Sequence, residues 1–173
     1  MSYIEKYQEW LNHKNLDEDL RKQLEEIKGN DSEIKDRFYK ELEFGTAGLR
    51  GKLGAGTNRM NRLVIARATR ALAEVIIEEG EEAKKKGIVF AHDCRIMSPE
   101  FAREAALIMA SAGIKTYLFE ALRPTPELSF AVRYLKCTSG INVTASHNPA
   151  EYNGYKVYWE DGAQITPPHD TGI

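Results

Sequence analysis

The chain is poor in cysteine, has no long apolar run and carries almost no charge imbalance, and each shortage closes off a class of protein. Two cysteines in 173 residues, Cys94 and Cys137, are too few for a disulfide scaffold and form no metal-type cluster. A reduced, cytoplasmic protein is the expectation. A formal charge of -2 gives no electrostatic reason to expect nucleic acid or a membrane as partner. The most apolar window, Ala105 to Ile114, is about half the length a membrane span needs and reads as a buried helix. The start, Met1-Ser2-Tyr3-Ile4-Glu5-Lys6, lacks the apolar stretch of a secretory signal. Internal repeats and low-complexity segments are also missing. His92 and His169 have no partners at ligand spacing and His13 reads as a surface helix residue, so a catalytic zinc site is not expected.

What is present is a 42% apolar content, enough for a sizeable core. Tyr3, Tyr7, Trp10 and Leu11 share one helical face, and Leu16, Leu20, Leu24 and Ile27 another. Asn15 with Glu18 reads as a capping box, Gly29 as a stop, and a third helix is predicted from Ser32 to about Leu42. A glycine-dense loop, Phe44 to Gly56, follows. From Asn61, as N-cap, one helix is predicted to the basic end Lys84-Lys85-Lys86 before Gly87.

Beyond it the pattern alternates: strand Ile88 to Ala91, helix opened by Ser98-Pro99 and closed by Gly113, strand Ile114 to Phe119, helix from Thr125-Pro126 to about Lys136, strand Gly140 to Val143. A last strand, Tyr155 to Trp159, is expected after a tight Asn153-Gly154 turn. Alternation of this kind predicts an α/β fold of three layers, a mostly parallel, four-stranded mixed sheet between helices, with extra N-terminal helices. The last two strands lie close enough in sequence for an antiparallel pair. Residues 1–43 form a helical extension in this reading and 44–173 the α/β domain.

In an open α/β sheet, ligands bind outside the carboxyl ends of the strands. Asp93 and Arg95, Arg123, and Ser146-His147 all follow strands at that edge, and the glycine loop can reach it. Ser146 sits in Thr144-Ala145-Ser146-His147-Asn148-Pro149. A serine hydroxyl needs a base, a metal or a transferable phosphoryl group to act as a nucleophile. A hydrolase pairing with His147 is disfavoured, because adjacent side chains seldom turn toward each other and the Gly-x-Ser-x-Gly elbow is absent. A plain turn is open, since Ser, Asn and Pro dominate turns. A phosphoryl carrier is also open, and it requires cations nearby. Arg50, in a loop whose small residues let backbone N–H groups approach an anion, and Lys156 are available. The glycine loop has neither the Lys-Ser/Thr ending of a P-loop nor a dinucleotide fingerprint. Lys156 could equally be an exposed strand lysine, and Arg95 with Asp93 a structural ion pair.

These segments together are similar to those of a known family. Phe44-Gly45-Thr46-Ala47-Gly48-Leu49-Arg50-Gly51, Thr144 to Pro149, Asn153-Gly154-Tyr155-Lys156, Asp93-x-Arg95 with Ser98, and Pro124-Thr125-Pro126 resemble the N-terminal domain I of the α-D-phosphohexomutases, the phosphoglucomutase/phosphomannomutase superfamily. The Gly-Thr-Ala-Gly-Leu-Arg form and the leading helices look like the longer phosphoglucomutase branch, which includes phosphopentomutase-type members. The resemblance implies an isomerase that moves phosphate between C1 and C6 of a hexose phosphate, through phosphorylated Ser146 and a sugar 1,6-bisphosphate that also serves as activator. It implies Mg2+ with the Ser146 phosphate as one ligand, Arg50 and Lys156 as proton-transfer or charge-stabilising residues, and His147 as a substrate-contacting one. Thr46, Gly48, Arg50, His147, Asn148 and Lys156 are the implied phosphate- and substrate-binding set. The family's Asp-Gly-Asp-x-Asp-Arg, Gly-Glu-x-Ser-Gly and Arg-x-Ser-Gly-Thr loops have no match here. The expectation is therefore a serine-bearing domain partnered by domains II to IV and inactive alone. The alternatives are phosphomannomutase or phosphopentomutase specificity, or a non-catalytic phosphosugar-binding domain.

Overall fold

The computed structural model of the chain describes residues 1–45 and 48–166; Thr46, Ala47 and residues 167–173, His169 among them, lie outside. The chain opens with three short helices, α1 (Tyr3–Asn12), α2 (Glu18–Glu26) and α3 (Asp31–Phe38). Ser2 and Glu5 close a capping box on α1, and Asn30 caps α3 by accepting from the Glu33 amide. The box expected from Asn15 and Glu18 does not form. Asp17 holds the N-cap of α2 without a side-chain bond, and Glu18 is already the first helical residue. The third helix also stops at Phe38, short of Leu42.

The three helices surround their own apolar cluster of Tyr7, Leu16, Leu20, Leu24, Ile27, Ile34, Phe38 and Ala55. Tyr7 and Trp10 meet the Phe38 ring edge-on, with centroids 5.8 and 5.6 Å away. Fully burying such a side chain contributes about 1.5–3 kcal/mol. Buried Arg59, paired with Asp36, ties α3 to the loop that follows the first strand.

That strand, β1 (Gly48–Lys52), is drawn from the glycine-dense segment. The helix expected as one piece from Asn61 is two, α4 (Arg62–Glu78) and α5 (Glu81–Lys86). Gly80 separates them at φ 99, a left-handed conformation that glycine adopts without steric cost. The remaining elements are β2 (Ile88–His92), α6 (Ser98–Ser111), β3 (Thr116–Leu118), α7 (Thr125–Tyr134), β4 (Ser139–Val143) and β5 (Tyr152–Trp159).

The strands form one mixed sheet in the order β1-β5-β4-β2-β3. β4, β2 and β3 are parallel, while β5 runs antiparallel to both β4 and β1. The α/β layering is thus as expected, with a fifth strand recruited from the glycine-dense segment. The Asn153-Gly154 pair is not the hairpin turn. It lies inside β5, opposite Gly51 and Arg50, and residues 144–151 make the connection from β4.

Alternation along the strands sets the layers. Ile88, Phe90, Ile141, Val143, Tyr155 and Val157 join residues of α4 and α6 in the main core. Val89, Ala91 and Tyr158 point the other way and meet Leu128, Ala131 and Val132 of α7. The window Ala105 to Ile114, expected as a buried helix, is only partly so: Ala105, Ala106, Met109 and Ile114 are buried, Leu107 is 62% exposed, and α6 ends at Ser111. Among the described residues no helix is long and apolar enough to cross a membrane.

Candidate active site

Three connections leave the sheet at the carboxyl ends of β2, β3 and β4, and backbone bonds tie them to one another there. Asp93 donates its amide to the Val143 carbonyl at 3.1 Å, and Arg123 donates its amide to the His92 carbonyl at 3.0 Å. The β4–β5 loop carries exposed Ser146 and His147. Ser146 has φ 57, a left-handed conformation that few non-glycine residues adopt. Its amide donates to Thr144 Oγ1 at 3.0 Å, and the Asn148 amide to the Ala145 carbonyl at 3.1 Å.

This turn overrides the expectation that Ser146 and His147 face apart. Ser146 Oγ and His147 Nδ1 lie 3.3 Å from one another. Among the described residues no carboxylate hydrogen-bonds His147, so the third member that orients a hydrolytic base is not supplied.

Arg50 stands on β1 opposite Gly154, and Lys156 on β5 opposite Gly48. The two cations are therefore diagonal neighbours on one face of the sheet. Arg50 reaches to the serine loop, donating from Nη1 to Asn148 Oδ1 at 3.1 Å. Lys156 is half-buried, and its pKa is lowered from that of an ordinary lysine, by desolvation first and by the Arg50 charge second. Gly48, at φ 136, is where β1 presses closest on β5: a Cβ there would fall 1.8 Å from the Tyr155 carbonyl oxygen. Its amide donates to the Gly45 carbonyl at 3.0 Å. Gly154 is as confined, with a Cβ position 2.5 Å from the Thr144 carbonyl oxygen.

The structure thus brings Ser146, His147, Asn148, Arg50 and Lys156 to one edge, with Gly48 beside them. Thr46 belongs to the same expected set but lies outside the described residues. Arg123 is at the edge without reaching the loop; it pairs with Glu127 at 3.0 Å. His92 is buried and its Nδ1 lies 3.0 Å from the Asp93 carbonyl. Among the described residues no group of three or more His, Cys, Asp or Glu is placed to hold a metal ion.

Sequence reasoning left Arg95 as one half of an ion pair with Asp93, and that pair exists at 3.3 Å. It missed the other contacts: Nη2 donates to the carbonyls of Ser146 (2.8 Å) and Asn148 (2.7 Å), and Nη1 to those of Pro149 (2.9 Å) and Tyr152 (3.1 Å). Asp93 Oδ1 in turn accepts from the Arg95 amide and from buried Ser98 Oγ. Buried Asn153 donates from Nδ2 to Ser98 Oγ and to the Ile96 carbonyl, each at 2.9 Å. Ser98, read as a cap, instead follows Met97, which takes the cap position at φ 66. The presence of Asp93, Arg95, Ser98 and Asn153 was visible in the sequence; their convergence was not, because backbone acceptors leave no residue-type signal.

Residues 41–173 match the family model described as phosphoglucomutase/phosphomannomutase, alpha/beta/alpha domain I. The chain is 45% identical over 159 residues to a probable phosphoribomutase of Schizosaccharomyces pombe, a match covering 91% of this chain and 27% of that protein. It is 47% identical over 125 residues to a phosphoglucomutase of Staphylococcus epidermidis, covering 72% of this chain and 22% of the relative. A crystal structure of a putative phosphomannomutase from Thermus thermophilus superposes with a TM-score of 0.69 at 34% identity, over 77% of this chain and 29% of that one. The chain spans about a quarter of the length of the relatives it matches.

Proposed function

The chain belongs to the phosphoglucomutase/phosphomannomutase family, through its α/β/α domain I, and on that premise we propose that it is the serine-bearing part of a mutase that moves phosphate between C1 and C6 of a hexose phosphate. The observation that carries this reading is an exposed, left-handed Ser146 on a loop that Arg50 reaches through Asn148, with Lys156 beside Arg50 on the same sheet face. A phosphoserine carries about -1.5 to -2 charges at neutral pH and needs such surroundings.

In the proposed cycle the phosphoryl group on Ser146 Oγ passes to a free hydroxyl of the sugar monophosphate. The P–O bond to serine breaks, the P–O bond to the sugar forms, and the hydroxyl proton leaves to a protein group. The resulting sugar 1,6-bisphosphate turns over and returns its other phosphate to Ser146. Such transfer depends on positioning and charge neutralisation more than on covalent help. Arg50, with its planar fork of donors, serves as the clamp on phosphoryl oxygens. Lys156, whose pKa is lowered, is the better proton carrier of the two. His147, 3.3 Å from Ser146 Oγ, is placed to hydrogen-bond that oxygen.

Mg2+ would supply further countercharge, with the Ser146 phosphate as the ligand from this chain. The described residues do not by themselves form a metal-binding cluster, so the remaining ligands would have to come from outside them. Further domains of the same polypeptide would provide the rest of the sugar and metal contacts, in a cytoplasmic protein. The short coverage of the relatives supports this, and the chain alone is expected not to turn over.

A pentose phosphate is the second reading of the substrate, favoured by the likeness to the S. pombe protein over 91% of this chain. Phosphopeptide mapping of the full-length protein after incubation with a hexose 1,6-bisphosphate tests the site. Phosphate on the peptide holding Ser146 is expected, and phosphate confined to another residue contradicts the assignment. The ratio of kcat/KM for glucose 1-phosphate and ribose 1-phosphate decides between the sugars.

A further inference from the structure

We propose that Arg95 is the positioning residue of the Ser146 loop, fixing the backbone so that the serine hydroxyl and an outward-facing amide are presented together. This rests on phosphotransfer at Ser146. A guanidinium has five N–H donors in a rigid fork. Here four go to the carbonyls of Ser146, Asn148, Pro149 and Tyr152, and the fifth, at Nε, faces Asp93 Oδ2 at 3.3 Å. None is left over for a phosphate or a sugar. Arg95 is also only 14% exposed, whereas Arg50 is exposed. The two arginines of the site therefore divide the work: Arg50 is open to the ligand and Arg95 is committed to the loop.

Peptide geometry carries the consequence. The C=O and N–H of one trans peptide point in opposite directions. Holding the Ser146 carbonyl against Arg95 sends the His147 amide to the far side of the loop. Holding the Pro149 carbonyl does the same for the Ala150 amide. Among the described residues neither amide has an acceptor, and Ser146, His147 and Ala150 are all exposed. Backbone donors fixed in this way and left without an acceptor are available to an anion on Ser146.

Backbone strain fits the same account. Among the described residues only Met97, Lys136 and Ser146 combine a side chain with positive φ, and two of these flank the Arg95 network. Such conformations persist where surrounding contacts over-determine them. The Arg95 clamp, the Thr144 hydroxyl and the Asn148 turn do so at Ser146. Asp93, Ser98 and Asn153 then hold the clamp from the start of α6 and from β5.

The test uses Arg95→Lys and Arg95→Ala in the full-length protein. Lysine keeps the charge but replaces the planar fork with a point donor that cannot span four carbonyls. A misplacement of about 1 Å costs on the order of 10²-fold in rate. Both variants are therefore expected to lose kcat on that scale, with KM changed less than about threefold, and guanidinium ion should partly restore the Arg95→Ala enzyme. Thermal unfolding of Arg95→Lys should stay close to wild type, and if Arg95→Ala does not fold, the lysine variant alone decides. Wild-type kcat in Arg95→Lys would overturn the proposal. So would a parallel fall in kcat and unfolding temperature that guanidinium does not relieve, since that marks a purely structural role. Phosphopeptide mapping of the wild type separates the two layers: turnover without phosphate on Ser146 defeats the underlying reading, whatever the Arg95 variants do.

Discussion

Arg50 Nη1 and Asn148 Oδ1 meet at 3.1 Å, although 98 residues separate them in the chain. The bond joins the strand built from the glycine-dense segment to the loop that presents Ser146, and it leaves the rest of the Arg50 guanidinium open. Asn148→Ala removes the acceptor and frees Arg50 to reorient. The expected result in the full-length enzyme is a fall in kcat of about tenfold. Stability should change by no more than about 1 kcal/mol, because the bond lies at the surface. Steady-state kinetics beside a denaturant titration checks both.

Gly154→Ala tests the packing that places Lys156. The added Cβ would lie 2.5 Å from the Thr144 carbonyl oxygen and 3.0 Å from that of Leu49. Both obstacles are backbone, so β1 or the start of the serine loop must shift. A loss of about 1–3 kcal/mol is expected, read as a lower urea midpoint with an unchanged slope.

Lys156→Met separates stability from function. Folded Lys156 holds its proton less tightly than the unfolded chain, which keeps it up to about pH 10.5. The charged lysine thus works against folding at neutral pH, and this penalty fades as the pH rises toward that value. The methionine variant should be at least as stable as wild type at pH 7. Its advantage should shrink on going to pH 10, while turnover of the full-length enzyme is severely reduced. A variant that is both active and unstable contradicts the placement.

The cysteines give a second pH signature. Cys137 is buried and its thiol is pushed up to about 11 by desolvation, while Cys94 is exposed. Iodoacetamide at pH 8 should label Cys94 alone in the folded protein. Between about pH 9 and 11 the unfolded chain releases a proton that folded Cys137 retains, so Cys137 makes stability fall with rising pH in that window. Cys137→Ala should weaken the dependence. Equal labelling of both thiols contradicts the burial.

Much of this arrangement was legible in the sequence, for reasons that differ from element to element. The buried strands β2 and β4 and the amphipathic face of α4 announce themselves by composition and period. Ser146, Arg50 and Lys156 were singled out by the resemblance of their segments to a known family, since taken alone Ser146 reads equally as a turn and Lys156 as an exposed strand lysine. What escaped was set by long-range pairing. β1 looks like a loop because Gly48 and Gly51 disfavour a strand locally, and it is a strand only through its pairing with β5. Asn153-Gly154 has the composition of a turn, yet Gly154 is there because the Thr144 and Leu49 carbonyls leave no room for a side chain. The contact of Ser146 with His147 depends on one left-handed residue, and the four carbonyls held by Arg95 belong to the backbone, which sequence does not display.

Turnover by the full-length protein carrying Ser146→Ala is the most direct test of the phosphoryl-carrier account. With a hexose 1-phosphate, Mg2+ and a hexose 1,6-bisphosphate, the account predicts that this single loss of an oxygen abolishes interconversion to background while the fold persists by circular dichroism. Interconversion at a rate near that of the wild type would contradict it.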